Sequence, residues 1–424
     1  MSKKTTKLVP NLRFPEFRDA GTWQQLRLDE IASRVSLKNK NGQAIRVLTN
    51  SAADGIVDQR DYFEKDIAVQ GNLEGYYVVN NGDYVYNPRV SNLAPVGPIS
   101  KNKLGTGVMS PLYSVFRFKD SDNNFYEQYF KTPNWHLYLR KISNSGARHD
   151  RMAISTEDFM SLPLPAPSPK EQKKIADCLS SIDELITAQA QKVEALKTHK
   201  KGLMQQLFPR EGETVPRLRF PEFRDAGEWQ ILPFKEIAKF LSGGTPSKDV
   251  SEYWGGSIPW ISASSMHTTK IDRSDSNITE FAVSDGARIA KKGTLLLLVR
   301  GSMLHKRIPI GITETDVSFN QDVKALELKG DITECYLMNY LIASESKLLA
   351  AVTSTGIGAG KLDTNDLNDF PIGFPSAKEQ RKIADCLSSI DDLITAQSQK
   401  LEALKIHKKG LMQQLFPSSE ADSE

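Results

Sequence analysis

Residues 171–209, EQKKIADCLSSIDELITAQAQKVEALKTHKKGLMQQLFP, return as residues 379–417, EQRKIADCLSSIDDLITAQSQKLEALKIHKKGLMQQLFP, with five differences. All five (Lys173/Arg381, Glu184/Asp392, Ala190/Ser398, Val193/Leu401, Thr198/Ile406) suit a helix. So close a repeat inside one chain constrains its architecture more than any other feature. Ile175, Leu179, Ile182, Ile186, Gln189, Val193, Leu196, Lys200, Leu203 and Leu207 are spaced alternately four and three apart, as are Ile383, Leu387, Ile390, Ile394, Gln397, Leu401, Leu404, Lys408, Leu411 and Leu415. That spacing is the heptad seam of a coiled coil. Gln and Lys interrupt both seams at matching places, which costs stability and fixes register; the best pairing partner for each copy is the other copy. Ser168 and Ser376, each with Glu three residues on, read as capping boxes that start the helices, and Leu-Phe-Pro ends them. Each helix is then a rod of about 55 Å.

The 424 residues exceed one core, and the repeat favours two domains. Hydrophobic residues at 39% and charged residues at 25% suit a soluble globular chain. No apolar run reaches a membrane span, and MSKKTTK lacks a signal-peptide core, so a cytoplasmic location is expected. Three cysteines, two of them the repeat-related Cys178 and Cys386, cannot make a disulfide framework. A net charge of +3 neither demands nor excludes a polyanionic partner, since local basic patches can sit behind acidic helices and the acidic tail.

A second repeat sets Pro10–Gln24 against Pro216–Gln230, differing at two positions. The later copy follows the first long helix. If the earlier copy docks likewise on the end of the second helix, the chain closes into a ring with two-fold pseudosymmetry and the helices run antiparallel; the alternative is a free N-terminal arm. Between the repeats lie 146 residues (25–170) and 148 residues (231–378) of diverged sequence. Both open on a short helix (29–32, 235–238) and close on a Pro-rich stretch. Strands are expected at 75–79, 82–86, 113–118 and 293–299, and helices at 124–141 and 334–351. The fold class is therefore α/β (α+β): two pseudo-symmetric mixed α/β domains separated by two long antiparallel coiled-coil helices. The expected segments are 1–24 (repeat segment), 25–168 (first domain), 169–209 (central helix), 210–230 (linker with repeat segment), 231–376 (second domain), 377–417 (C-terminal helix) and 418–424 (tail). Near-constant ends with different middles fit one scaffold carrying two binding surfaces.

These residues resemble the specificity subunit of Type I restriction-modification systems over almost the whole chain. In the second half the likeness rests on Gly243-Gly244-Thr245-Pro246-Ser247, Tyr253-Trp254-Gly255-Gly256, Ile258-Pro259-Trp260-Ile261 and Asn320-Gln321-Asp322; in the first, on residues 82–89 (GDYVYNPR) and Ser110-Pro111-Leu112-Tyr113. Pro169-Lys170-Glu171-Gln172-Lys173-Lys174-Ile175-Ala176 is similar to the family's helix start; Ala377 departs from it in the second copy. The resemblance implies two target-recognition domains, each reading half of a split double-stranded DNA sequence and held apart by the helices. It implies two methyltransferase subunits and motor-nuclease subunits as partners. S-adenosylmethionine, ATP and Mg would reside on those partners, with no cofactor on this chain.

Catalytic motifs fit poorly. There is no Asn/Asp-Pro-Pro-Phe/Tyr run of an adenine methyltransferase. Gly356–Lys361 resembles a phosphate loop, but the Walker pattern needs Gly at 355 and Ser or Thr at 362, where Thr355 and Leu362 stand. A loop offering amides or Lys361 to a DNA phosphate is preferred. Glu327-Leu328-Lys329 is a common tripeptide, expected at a strand end, and His199 and His407 belong on a solvated helix face. No metal or catalytic residue is expected.

DNA contacts should come from Arg and Lys on loops. The candidates are Arg89, Lys101, Lys103, Arg148 and Arg151 in the first half, and Lys248, Arg300, Lys306, Arg307 and Lys361 in the second, with Trp254 and Trp260 assigned to the core. The helices' basic face (Lys197, Lys200, Lys201, Lys405, Lys408, Lys409) offers further phosphate contacts, though i, i+4 pairing with Glu accounts for Lys197. Gly202 and Gly410 cost about 1 kcal/mol each inside a helix, which a close helix approach or a bend would justify. The reading is a non-catalytic DNA-recognition subunit that positions its partners for adenine methylation or cleavage. The alternatives are a coiled-coil scaffold without DNA specificity, a self-contained modification enzyme, or an inactive specificity subunit.

Overall fold

The computed structural model describes residues 8–62, 73–143, 150–356 and 358–417. MSKKTTK, Ser145, Gly146, Arg148, His149, Ile357 and the acidic tail lie outside those residues, so the expectations placed on them do not bear on the fold. Pro169–Leu207 and Ala377–Leu415 are continuous helices of 39 residues each, starting just after the serine caps and ending two residues before the expected 209 and 417. The chain divides into two compact units. One holds the chain up to Ala190 together with the chain from Lys400 onward, and the other holds Gln191–Gln399. Each unit thus contains the start of one long helix and the end of the other.

In the first unit, Ala32–Arg34, Ser114–Phe118, Tyr84–Tyr86 and Ile99–Lys101 form an antiparallel sheet in that order. Both faces of Tyr84–Tyr86 are buried, and Tyr84, Val85 and Phe116 are fully enclosed. Aromatic side chains fill the core, with Tyr84 stacked on Phe116 and Tyr86 on Phe159. Phe416, at the end of the second long helix, closes this core against Phe125 and Tyr129. Full burial of a Phe contributes about 1.5–3 kcal/mol, enough to anchor a helix end. The helix expected over 124–141 is two helices, Asn124–Tyr129 and His136–Ile142, because Pro133 has no amide to continue the first.

The second unit repeats the plan with different residues. Ala238–Ser242, Val323–Leu328, Leu295–Leu298, Ile310–Thr313 and Lys270–Ile271 lie side by side, antiparallel except for the last pair. Leu295–Leu298 is wholly buried, as its unbroken apolar run requires of a central strand. Phe208, the repeat counterpart of Phe416, packs against Trp229, Tyr336 and Tyr340. The helix expected over 334–351 breaks at Ser344 into Glu334–Ala343 and Glu345–Ala350.

The repeated segments do the closing. In the first unit the Leu12 amide donates to the Gln414 carbonyl at 2.9 Å; in the second the Leu218 amide donates to Gln206 at 3.0 Å. Both copies of the short repeat therefore dock on the end of a long helix, and the free-arm alternative for Pro10–Gln24 is excluded. Gln24–Arg27 then pairs with Pro163–Ala166, and Gln230–Pro233 with Pro371–Phe374, so each insert is tied off at its base by a two-stranded clamp.

The capping boxes differ from expectation. The Ser168 and Ser376 hydroxyls accept from the amides of Glu171 and Glu379 at 3.4 Å. The Glu carboxylates do not reach back to the serine amides; they face arginines of the short repeat. Arg13 donates from Nε and Nη2 to Glu171 at 2.7 Å each, and Arg219 to Glu379 at 2.7 and 2.8 Å. Each arginine also donates from Nη1 to a glycine carbonyl, Gly21 or Gly227, at 2.6 Å.

Within each unit the two helix segments pack together and run antiparallel. In the first, Ile175 and Leu179 share a core with Leu411 and Leu415, and Lys408 meets Asp183 at 2.5 Å. In the second, Ile383 and Leu387 share a core with Leu203 and Leu207, and Lys200 bonds Asp391 at 2.6 and 2.7 Å. Lys408, buried, and Lys200, partly buried, are thus seam partners of aspartates and not members of a basic DNA-facing surface. Lys197 pairs with Glu194 and Lys405 with Glu402, three residues apart. A Cβ added at Gly202 or Gly410 would meet nothing within 4 Å, so close helix approach does not explain either glycine.

Burial pushes the Asp183 carboxyl upward, but the hydrogen bond from Lys408, with the charges of Lys131 and Lys408, holds it below its ordinary value. Burial pulls the Lys408 ammonium down, more than Asp183 restores it. The aspartate gains from the lysine while the lysine loses by desolvation, so the pair specifies register more than it adds stability. Lys408→Met leaves Asp183 with Lys131 and Gln128, each at 3.2 Å, in place of its shortest contact and should cost about 1–2 kcal/mol in urea unfolding. This is less than the roughly 3–5 kcal/mol of a fully buried pair, because Asp183 is 37% exposed and solvent screens it. Adding Asp183→Leu should recover most of the loss; an unchanged midpoint in the single variant would contradict the assignment.

Candidate nucleic-acid interface

In the second unit the motifs singled out in the sequence converge. The 243–247 loop is held by two indoles: Trp260 Nε1 donates to the Gly244 carbonyl and Trp254 Nε1 to the Ser247 carbonyl, both at 3.1 Å. The two rings meet edge to face at 5.4 Å. Trp254 and Trp260 are half-buried pins of this loop, not core residues as expected, because each indole N–H needs the loop carbonyl it holds. The Gly244 amide donates to Phe319, and the Thr245 hydroxyl to Gln321 Oε1 at 2.9 Å. A Cβ on Gly243 would lie 1.9 Å from the Phe319 carbonyl oxygen, so only glycine fits there. One residue past Gln321, the Asp322 carbonyl accepts from the Val299 amide. The chain then leaves the central strand at Arg300.

Arg300-Gly301 pairs antiparallel with Gly360-Lys361, which pairs with Thr353-Ser354. Gly360 and Lys361 therefore lie on a β-strand paired on both sides and not in a phosphate loop. The Thr355 amide donates to Ala359 and that of Gly358 to Thr355, so these two amides are used within the turn and Lys361 remains as its charged group. Arg300 and Lys361 stand directly opposite each other. Lys361 reaches Asp363 at 2.9 Å, while Arg300, Lys306 and Lys248 are exposed with no ion pair among the described residues. The Asn365 amide first, then Lys361, hold the Asp363 carboxyl below its ordinary value. Arg307 differs from the rest of the set. It is half-buried, donating to the carbonyls of Met266 and His267 at 2.8 and 3.2 Å, so its fork braces a neighbouring loop.

The first unit places a related pair at a related position. Arg89 follows the central strand Tyr84–Tyr86 as Arg300 follows Leu295–Leu298, and it forms an antiparallel bridge with Arg151. Arg151 precedes the helix Thr156–Met160 as Lys361 precedes Thr364–Asp369. Asp150 lies 3.7 Å from Arg89 and 4.0 Å from Arg151. Both arginines border a cavity of about 490 Å³ that Asn87, Leu112 and Tyr113 also line, bringing the 82–89 and 110–113 motifs together. Lys101 and Lys103 are elsewhere. Lys101 bonds Asn124 and sits over the Tyr84 ring, and Lys103 pairs with Glu127 at 2.6 Å. Burial pulls the Lys101 ammonium below its ordinary value. Thr245 and Gln321 stood inside motifs quoted from the sequence but not among the DNA-contact candidates, and the Asp150 and Asp363 carboxylates were not DNA-contact candidates either.

The family profile of the Type I restriction modification DNA specificity domain matches residues 23–198 and again 226–405. The chain belongs to this family. The specificity subunit of a Type I restriction enzyme from Escherichia coli is 31% identical over 253 residues, covering 58% of this chain and 59% of that protein. One from Methanocaldococcus jannaschii is 35% identical over 187 residues, covering 42% and 41%. The chain thus spans about half the length of these curated relatives. Two solved chains share the fold: the S subunit of a Type I restriction-modification system from M. genitalium (TM-score 0.55, 14% identity, 97% of this chain and 100% of that one) and a chain from work on assembly and conformational transition of the type I R-M system (TM-score 0.57, 17% identity, 93% and 97%). Among the described residues no helix is long and apolar enough to cross a membrane.

Gly243→Ala should expel the pinned loop or shift the Phe319 strand, destabilising the second unit by about 1–3 kcal/mol. Thermal melting of the full chain checks it, and a melting temperature equal to the parent's would contradict the close contact.

Proposed function

We propose that this chain is the non-catalytic DNA-recognition subunit of a Type I restriction-modification complex, acting in the cytoplasm on a bipartite double-stranded target. Residues 25–168 and 231–376 serve as the two target-recognition domains, and the long helices, 169–209 and 377–417, set the number of unread base pairs between the half-sequences. Two methyltransferase subunits and motor-nuclease subunits are its protein partners. S-adenosylmethionine, ATP and Mg act on those partners and not on this chain. Arg89, Arg151, Lys248, Arg300, Lys306 and Lys361 are the DNA-facing residues; Arg148 joins them from the sequence alone. Lys101, Lys103 and Arg307 contribute through the neighbours they brace.

The observation that carries this reading is the matched construction of the two units, in which diverged inserts place opposed cations after the central strand on a frame of repeated helices. Such surfaces suit a polyanion whose two parts differ in sequence but not in backbone. The rival, a protein scaffold, leaves the divergence of the two inserts without a purpose. Co-expression with the methyltransferase subunit of its own system, followed by mapping of methylated adenines across the host genome, tests the reading. A split motif with one fixed gap is expected. A stable complex that methylates nothing, with no salt-dependent selectivity for any duplex, would favour the scaffold.

A further inference from the structure

Arg89 and Arg151 in one unit, and Arg300 and Lys361 in the other, occupy the same place in the fold although the inserts that carry them have diverged. In each case one cation leaves the central strand, the other precedes the helix that leads back to the basal clamp, and an antiparallel bridge sets them face to face. Each pair also has its own carboxylate, Asp150 or Asp363. Resting on the DNA-recognition reading above, we infer that each opposed pair is a sequence-independent phosphate anchor, which fixes the register of its domain on the duplex while other side chains read the bases.

Three observations favour phosphate over base contact. What recurs in two domains with different half-sequences should serve what the half-sites share, and that is the sugar–phosphate backbone. The pair is Arg/Arg in one unit and Arg/Lys in the other; a position that accepts lysine uses charge, since the bidentate reading of guanine needs geometry that Arg and Lys do not share equally. The carboxylates supply a reversible counter-charge. Lys361 and Asp363 are 47% and 40% exposed, and an exposed ion pair is worth only about 0–1 kcal/mol, so exchanging Asp363 for a phosphate oxygen costs little. Asp363 keeps the Asn365 amide as its cap when the lysine leaves. Base readout then falls to neighbours that differ between the units, Thr245 and Gln321 in one and Asn87 and Tyr113 in the other.

The test uses the full chain assembled with its methyltransferase subunits. Affinity is measured by fluorescence anisotropy on a cognate and a scrambled duplex between 50 and 200 mM salt. Arg300→Ala with Lys361→Ala should weaken both duplexes by the same factor, leave their ratio unchanged within about twofold, and lower the slope of log affinity against log salt by about 2, one per lost phosphate contact. Arg300→Lys should keep both the affinity and the methylated motif, and Asp363→Asn should tighten both duplexes together. A collapse of the cognate-to-scrambled ratio, an unchanged salt slope, or relaxation of one base of the motif in Arg300→Lys would overturn the anchor while leaving DNA recognition standing. A parent complex that does not distinguish the two duplexes would instead overturn the DNA-recognition reading, and the anchor with it.

Discussion

The structure depends on a buried arginine–glutamate fork made twice, Arg13 with Glu171 and Arg219 with Glu379. All four side chains are at least nine-tenths buried, so each charge is tolerable only because the other satisfies it in two parallel hydrogen bonds. Removing one partner of such a pair costs roughly 3–5 kcal/mol, because the survivor is left charged and dry. The fork takes the glutamate that a capping box would otherwise use, and joins the short repeat to the start of a long helix. The same short repeat takes its next contact from the end of the other long helix. Helix start, helix end and insert base are thereby fixed at one place in each unit, and the Lys–Asp contacts farther along each seam select the pairing that lets this happen.

Upon this constant frame the two inserts are free to differ. One has an aromatic core, the other a leucine-rich central strand, yet both carry that strand between the same two neighbours and both tie off in a two-stranded clamp. Divergence runs through core and loops alike, and in the loops beyond the strand ends side chains can change without disturbing burial. On the proposed reading, a new target sequence requires new loops and leaves the frame and its repeated contacts as they are.

Much of this was legible in the sequence because the signals are local. The heptad spacing, the serine caps and the Leu-Phe-Pro stops located both long helices, and the short apolar runs located the central strands. The order of the repeats foretold how the chain closes. What escaped were choices of partner across long separations. Nothing near Glu171 says that Arg13 will claim it, and Lys200 and Lys408, read both as seam positions and as part of a basic face, find Asp391 and Asp183 on the other helix. The candidate site was read as a set of basic residues, but only the fold sorts it. Arg89 meets Arg151 and Arg300 meets Lys361 through strand pairing, while Arg307 turns inward to two carbonyls and Lys101 to Asn124.

On the proposed function, the helices set a distance and the inserts set the bases. Inserting one heptad at equivalent positions of both helices, in step with the seam, tests it through the methylated motif of the co-expressed complex. An unchanged pair of half-sequences separated by a longer gap is expected. The same gap with altered half-sequences would contradict it.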